Sequence, residues 1–367
     1  MNGAAMKFLH VVPDSIQAPE QFYLGSTKDI RGRTDYFASR GLDFEEVIAP
    51  RRSDDRLVDI ISGMDVSQVR GIVFEYPIYP KPLRLITKVN PSIRLLVRAH
   101  HAEFFQRIHY LVARAKYTYG WRNVRGHYTM SRDILRRLRQ DRSSARLADG
   151  VLSITSWEID HYWKFLVGSD KSHYLPYFLP QVYANEIGPP VEKIDQCVCM
   201  MSTSRGPEAF LLDAALNLTR LVKQLGQQQR KWSFAMTGMI PERGPVLPDR
   251  IRPTGLLDSP YGILAESKAV ALLSDYGFGF KTKFLEAVMS GCYVFVTGGM
   301  HKRLPPEVRQ FCFEVDVNSI ESFENALSRC EEPFPEVDVN GQLREIAFSV
   351  LDNALGVTSE VGVASAN

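Results

Sequence analysis

Short apolar runs rich in β-branched and aromatic residues alternate along the chain with stretches whose apolar positions recur at helical spacing. Strands are predicted over 8–12, 44–49, 71–76, 93–98, 150–155 and 173–178, with helical segments between them. The pattern pauses over 185–190, where Gly188, Pro189 and Pro190 stand together, and then restarts. Strands follow over 196–201, 232–237, 251–257, 293–297 and 311–315, with helices over 207–225, 319–329 and 343–355. Strands alternating with helices predict parallel, doubly wound α/β sheets. The pause predicts two of them, a first domain over 1–180 and a second over 193–340, joined by a linker over 181–192.

The stretch 274–299 carries the densest chemistry. Aromatics alternate with Gly277 and Gly279 over 276–280, and glycine lets a backbone approach a ligand closely. A helix is predicted next, with Phe284, Leu285, Val288 and Met289 on one apolar face and Gly291 as its stop. Its first turn holds Lys281, Thr282 and Lys283, and Glu286 lies on the same face. Free amides at a helix start attract phosphate, and a carboxylate accepts hydrogen bonds from a ribose diol. The same spacing also describes an ordinary surface pair of Lys283 with Glu286.

The residues KTKFLEAVMSGCYVFVT, 281–297, resemble the donor-site helix of GT-B fold glycosyltransferases, particularly those similar to family 4. The resemblance implies two doubly wound Rossmann-like domains facing across a cleft. The second would hold a nucleotide-sugar donor and the first a glycan or lipid-linked acceptor. It also implies that the last helix, within 341–367, crosses back to the first domain ahead of a frayed tail. Glu286 would bind the ribose, and Phe280, Lys281, Thr282 and Lys283 the diphosphate and sugar. Ser204 and Arg205, in the polar loop after the 196–201 strand, would meet the diphosphate. Gly238, Leu257 and Tyr261 would lie against the nucleoside. On the acceptor side stand Gly25, Arg98 and His100, followed by His101 and Glu103 as the catalytic candidates, with Glu103 a base toward an acceptor hydroxyl. A capping carboxylate with two solvated or core-satisfied histidines would explain the same cluster without catalysis. The family usually carries another glutamate about seven residues before Glu286, where Gly279 stands here, so the donor sugar and the stereochemistry stay unassigned. With lysines, an arginine and helix-end amides around the diphosphate, no metal or other cofactor is expected.

Composition adds bounds. A chain of 367 residues, 45% hydrophobic and 23% charged, can fill two cores. Its formal charge of +2 argues against a nucleic-acid partner, but the charge is uneven. Residues 107–146 hold eleven Lys or Arg against only Asp133 and Asp141, with Tyr117, Tyr119, Trp121 and Tyr128 among them. Such a stretch suits an anionic membrane surface as well as a plainly solvated helix face. Five cysteines, an odd number, fit a reducing cytoplasm better than a disulfide framework, and Cys197 and Cys199 fit core positions better than a zinc site. The N-terminal FLHVV run is too short for a signal-peptide core, and no run is long enough to span a bilayer. A cytoplasmic protein, at most peripheral at the inner face of a membrane, is expected. The competing expectations are a degenerate GT-B protein that binds nucleotide sugar or glycan without transfer, and a nucleotide-sugar epimerase on the same fold. A dinucleotide-dependent dehydrogenase is disfavoured because no GxGxxG follows the first strand.

Overall fold

The computed structural model describes residues 7–50, 53–120, 122–189, 191–201 and 208–357. The first six strands are β1 (Lys7–Pro13), β2 (Asp43–Ala49), β3 (Val69–Glu75), β4 (Arg94–Ala99), β5 (Gly150–Ser153) and β6 (Ser172–Tyr174). They form one parallel sheet in the order β2-β1-β3-β4-β5-β6. The next six are β7 (Ile194–Met200), β8 (Ser233–Thr237), β9 (Ile251–Gly255), β10 (Ser267–Leu272), β11 (Tyr293–Val296) and β12 (Cys312–Glu314). Their order is β12-β11-β10-β7-β8-β9, again all parallel. Counted within its own half, the second sheet runs 3-2-1-4-5-6, the order of dinucleotide-binding folds. Helices cover both faces of each sheet, so strands such as β1 and β3 are buried on both sides and read as continuous apolar runs.

The helices that shape the cleft are α1 (Gly25–Ser39), α2 (Asp54–Ser62), α3 (Pro80–Val89), α4 (Glu103–Arg114) and α5 (Val124–Leu147) in the first half. In the second half they are α6 (Glu208–Gln224), α7 (Tyr261–Glu266), α8 (Thr282–Met289), α9 (Ile320–Arg329) and α10 (Val339–Leu355). Local chemistry sets several ends. Ser53 accepts from the Arg56 amide to cap α2, Asp338 accepts from the Gly341 amide to cap α10, and Gly356 ends α10 at φ 65°.

α10 returns to the first half. Its Asp352 accepts from the hydroxyl of Tyr36 on α1 at 2.9 Å and pairs at 2.6 Å with Arg40, which follows that helix. One apolar cluster runs from Phe8 and Leu96 through Tyr177, Leu179 and Tyr183 to Phe284 and Val294, so the two halves share a core. Two elements depart from the sequence pattern. β6 stops at Tyr174, and Leu175 to Leu179 continues as a buried connector instead of a strand. β10, central in the second sheet, has no counterpart among the expected strands. Its SKAVAL sequence holds two alanines and a single β-branched residue, and it follows α7 with no glycine or proline between.

Candidate active site

The carboxyl ends of β1, β3 and β4 meet the start of α1 over a buried ionic cluster. Glu75 Oε1 accepts from His10 Nε2 at 2.7 Å and Arg33 Nε at 2.8 Å, while Oε2 accepts from Arg33 Nη2 at 2.9 Å and faces His100 Nε2 at 2.8 Å. Asp29 Oδ1 takes Arg33 Nη1 at 2.6 Å and Arg98 Nη2 at 2.8 Å, and Oδ2 takes Arg98 Nε and His100 Nδ1, both at 2.9 Å. Charges out of water persist only when paired this fully. Burial pushes both carboxyls up, yet Arg33, Arg98 and His100 around Asp29, and Arg33, His10 and His100 around Glu75, outweigh it and hold them well below the usual carboxylate range. Burial opposes charge on His100 as well, but Asp29 and Glu75 raise its pKa. A carboxylate can only accept, so both ring nitrogens of His100 donate and the ring is an imidazolium. Tyr76 stacks on it at 4.3 Å with φ 78°, a conformation few non-glycine residues adopt. Arg98, wholly buried and also donating to the Leu175 carbonyl at 2.6 Å, is part of the cleft floor and does not line the cavity above.

That cavity, about 390 Å³, lies between the ends of the two sheets. Gly25 and Ser26 at the start of α1 face Thr282 at the start of α8. A Cβ on Gly25 would stand 2.5 Å from the Thr282 hydroxyl oxygen, so this approach of two positive helix ends needs a glycine. Lys281 and Lys283 also line the cavity. The Lys281 ammonium is 3.4 Å from the Tyr276 carbonyl, and that of Lys283 donates to the Met200 and Met201 carbonyls. Neither is within salt-bridge distance of a carboxylate among the described residues. Burial, helped by the like charges of Arg303 and Lys283, lowers Lys281 to about 8. Burial also lowers Lys283 to about 8 against the pull of Glu286. Across the cavity stands His101, its Nε2 3.0 Å from Glu103 Oε1. Burial pushes the Glu103 carboxyl up, but His101, Arg137 and Arg107 together bring it to about 2. A carboxylate that stable orients its histidine and is a poor proton acceptor at neutral pH.

No protein-family model matches the chain, and no curated protein matches it in sequence. Its likeness is to solved structures. A sucrose-phosphate synthase from Thermosynechococcus elongatus superposes with a TM-score of 0.58 at 12% identity, over 95% of this chain and 96% of that one. Anabaena HepE, in complex with UDP, gives 0.57 at 12%, over 95% and 96%. The lipopolysaccharide outer core galactosyltransferase WaaB gives 0.57 at 13%, over 96% and 99%. This chain has the GT-B fold.

Within the GT-B cleft the remaining candidates are distributed unevenly. Phe280 lines the cavity and lies 5.8 Å from the Tyr177 ring. Glu286 does not line it. Its Oε2 is 2.7 Å from Lys28 Nζ of α1, the two side chains being 2% and 1% exposed. The rings of Tyr23, Tyr183 and Tyr261 box the Lys28 ammonium at 5.2, 5.2 and 5.7 Å, which is where Tyr261 is spent. Gly238, whose amide donates to the Gly255 carbonyl at 2.7 Å, and the half-buried Leu257 sit by the ends of β8 and β9, off the cavity walls. Ser204 and Arg205 lie outside the described residues.

The loop ahead of α8 is docked on the first GT-B domain. Phe278 lies against Phe105 at 5.0 Å, His109 at 5.2 Å and Trp157 at 5.3 Å, and its amide donates to Gln106 Oε1 at 2.6 Å. Gly279, at φ 74°, passes so close to His100 that a Cβ would meet its carbonyl oxygen at 2.5 Å. Sequence reasoning missed Lys28 and Phe278, and with them the pairing that occupies Glu286 and Tyr261. Each is an unremarkable lysine or aromatic in its own segment, and only the meeting of the two domains gives it a role.

Proposed function

We propose that this chain is a glycosyltransferase that moves a sugar from a nucleotide-activated donor, held by the second domain, to an acceptor hydroxyl presented by the first. One observation carries the reading. A single cavity places a carboxylate-backed histidine opposite two converging helix starts and two lysines that have no carboxylate partner among the described residues. Lys281, Lys283 and the amides of α1 and α8 supply positive charge where a diphosphate would sit. Because Nε2 of His101 donates to Glu103, Nδ1 is left to accept a proton. In the reaction the acceptor oxygen bonds to the anomeric carbon, the bond from that carbon to the diphosphate oxygen breaks, and the electron pair leaves on the diphosphate. The hydroxyl proton passes to His101. Glu103 thus acts as the positioning residue, and the base work expected of it falls to its neighbour. HepE structures hold UDP and, in one case, glucose as well, which makes UDP the first nucleotide to try here.

The finer parts of the reading are a glycan or lipid-linked acceptor, a role in cell-envelope or exopolysaccharide synthesis, and work at the cytoplasmic face of a membrane. The diphosphate charge is assigned to lysines and amides, so turnover should be the same with magnesium and with a chelator. A second reading, binding of nucleotide sugar without transfer, has one observation in its favour. Glu286, the carboxylate that the resemblance gives to the ribose, is already paired with Lys28.

The test is thermal stabilisation by UDP, GDP, ADP, TDP and CMP, followed by transfer assays on His101→Ala and Glu103→Gln. A nucleotide at about one hundred times its dissociation constant adds about 2.7 kcal/mol to the native state. One nucleotide should shift the wild type and both variants alike, while His101→Ala lowers transfer by about 10²–10⁴-fold. A nucleotide shift with no transfer in a wide acceptor screen would select the second reading.

A further inference from the structure

The outer face of α5 is a deck of arginines with apolar residues set among them. Arg125, Arg132, Arg136, Arg139, Arg142 and Arg146 are all exposed. At 100° per residue they occupy, with Val124, Tyr128 and Leu135, about one third of the helix circumference. Those three apolar side chains are 75%, 63% and 54% exposed. The deck runs along about 33 Å of helix. Its other side packs on α3 and α4.

The ion pairs show which charges are already used. Arg137 is buried and turned toward Glu103 at 3.8 Å. Asp133, at the margin of the deck, holds Arg107 at 3.3 Å and Arg136. Asp141, the other acid on α5, is buried and accepts from the Tyr162 hydroxyl at 2.6 Å. Arg132, Arg139 and Arg142 have no salt bridge among the described residues, and Arg132 lies 5.9 Å over the Tyr128 ring. Among the described residues the face therefore carries cations and exposed apolar groups, and the one acid at its margin, Asp133, is already held by Arg107 and Arg136.

We infer that this face of α5 seats the protein on an anionic phospholipid surface. Guanidinium groups match the phosphates of headgroups in a bidentate way, and Val124, Tyr128 and Leu135 enter the boundary between headgroups and acyl chains. A nucleic acid would use the arginines but give no place to the aliphatic side chains. The segment that joins α4 to α5 also reaches α6, where the Tyr117 hydroxyl donates to Asp213. The deck thus starts at the junction of the two domains, and an acceptor anchored in the same surface arrives beside the cleft. This inference deepens the membrane part of the proposed function and rests on it for the acceptor only.

The experiment is co-sedimentation of the full chain with vesicles of phosphatidylcholine alone or with phosphatidylglycerol added. Each arginine that reaches the headgroup layer is worth about a fivefold factor in partitioning. Binding should therefore appear only with the anionic lipid and fall about 100-fold in Arg132→Ala/Arg139→Ala/Arg142→Ala. Tyr128→Ala/Leu135→Ala should remove the part that survives high salt. Circular dichroism and transfer to a water-soluble acceptor should be unchanged in both variants, because neither touches the cavity. Equal binding to neutral vesicles, no binding at all, or tighter binding of duplex DNA or RNA through the same arginines would overturn the inference. A failure of transfer with vesicle binding intact would instead remove the proposed reaction and leave the surface standing.

Discussion

At the scale of single residues, the two cavity lysines make a prediction in which stability and binding move in opposite directions. Both carry folded pKa values of about 8, below the ordinary lysine value, and burial is the main cause. Above about pH 8 the native state has begun to shed these protons while the unfolded chain, with lysines near 10.4, still holds them. Since the unfolded state then binds more protons, the contribution of these groups to stability rises with pH through that window. A diphosphate needs the ammonium forms, so nucleotide affinity should fall over the same range. Calorimetric titration at pH 7 and pH 9 checks this. At pH 8 it should also show proton uptake on binding, read as a heat that changes with the buffer's own ionisation enthalpy. In Lys281→Met/Lys283→Met both the pH dependence and the proton uptake should vanish. An affinity that stays flat to pH 9 in the wild type would mean that neither lysine faces the anion.

At the scale of elements, the sequence reads well wherever one segment contains its own explanation. Strands β1 to β5, the helix opened by Lys281 to Lys283 and the span of α10 are each set by local periodicity, a cap or a turn residue. What was illegible depends on partners far away in the chain. β10 becomes a strand because β7 and β11 flank it, although its alanines do not ask for one. Gly279 reads as a loop glycine and a missing carboxylate, while in the fold it is the point where the donor-side loop lies on the His100 backbone. That contact can be measured against a control. Gly41 also has a positive φ, 61°, but a Cβ there would meet nothing within 4 Å. Gly41→Ala therefore shows the cost of backbone strain alone, about 1 kcal/mol. Gly279→Ala should show that and the displacement of the loop as well, about 2–3 kcal/mol in all, with a larger radius of gyration as the cleft parts. Equal losses in the two variants would mean that the loop does not hold the domains together.

At the scale of the whole molecule, one joint between the domains is the pairing of Lys28 with Glu286, and it sits on the carboxylate that the resemblance gives to the ribose. Both side chains are almost wholly buried, three tyrosine rings surround the ammonium, and the two partners come from opposite halves of the chain. Removing one member of a buried pair strands the other charge, which costs about 3–5 kcal/mol, whereas replacing both by apolar residues of similar size is often neutral. Lys28→Met should therefore lower the unfolding free energy by about that amount, and Lys28→Met/Glu286→Met should recover most of it. Nucleotide binding separates the two explanations for the pair. If the ribose and Lys28 compete for one carboxylate, Lys28→Met should gain at least as large a nucleotide-induced thermal shift as the wild type. The double variant should be stable and give none. A double variant that kept the full shift would make the pair a structural joint only, and the ribose would have to be held elsewhere in the cleft. The competition also predicts an order of events. Lys28 cannot release Glu286 while the tyrosines enclose it, so a nucleotide that uses this carboxylate must enter with the domains apart, and its measured association rate should rise in Lys28→Met.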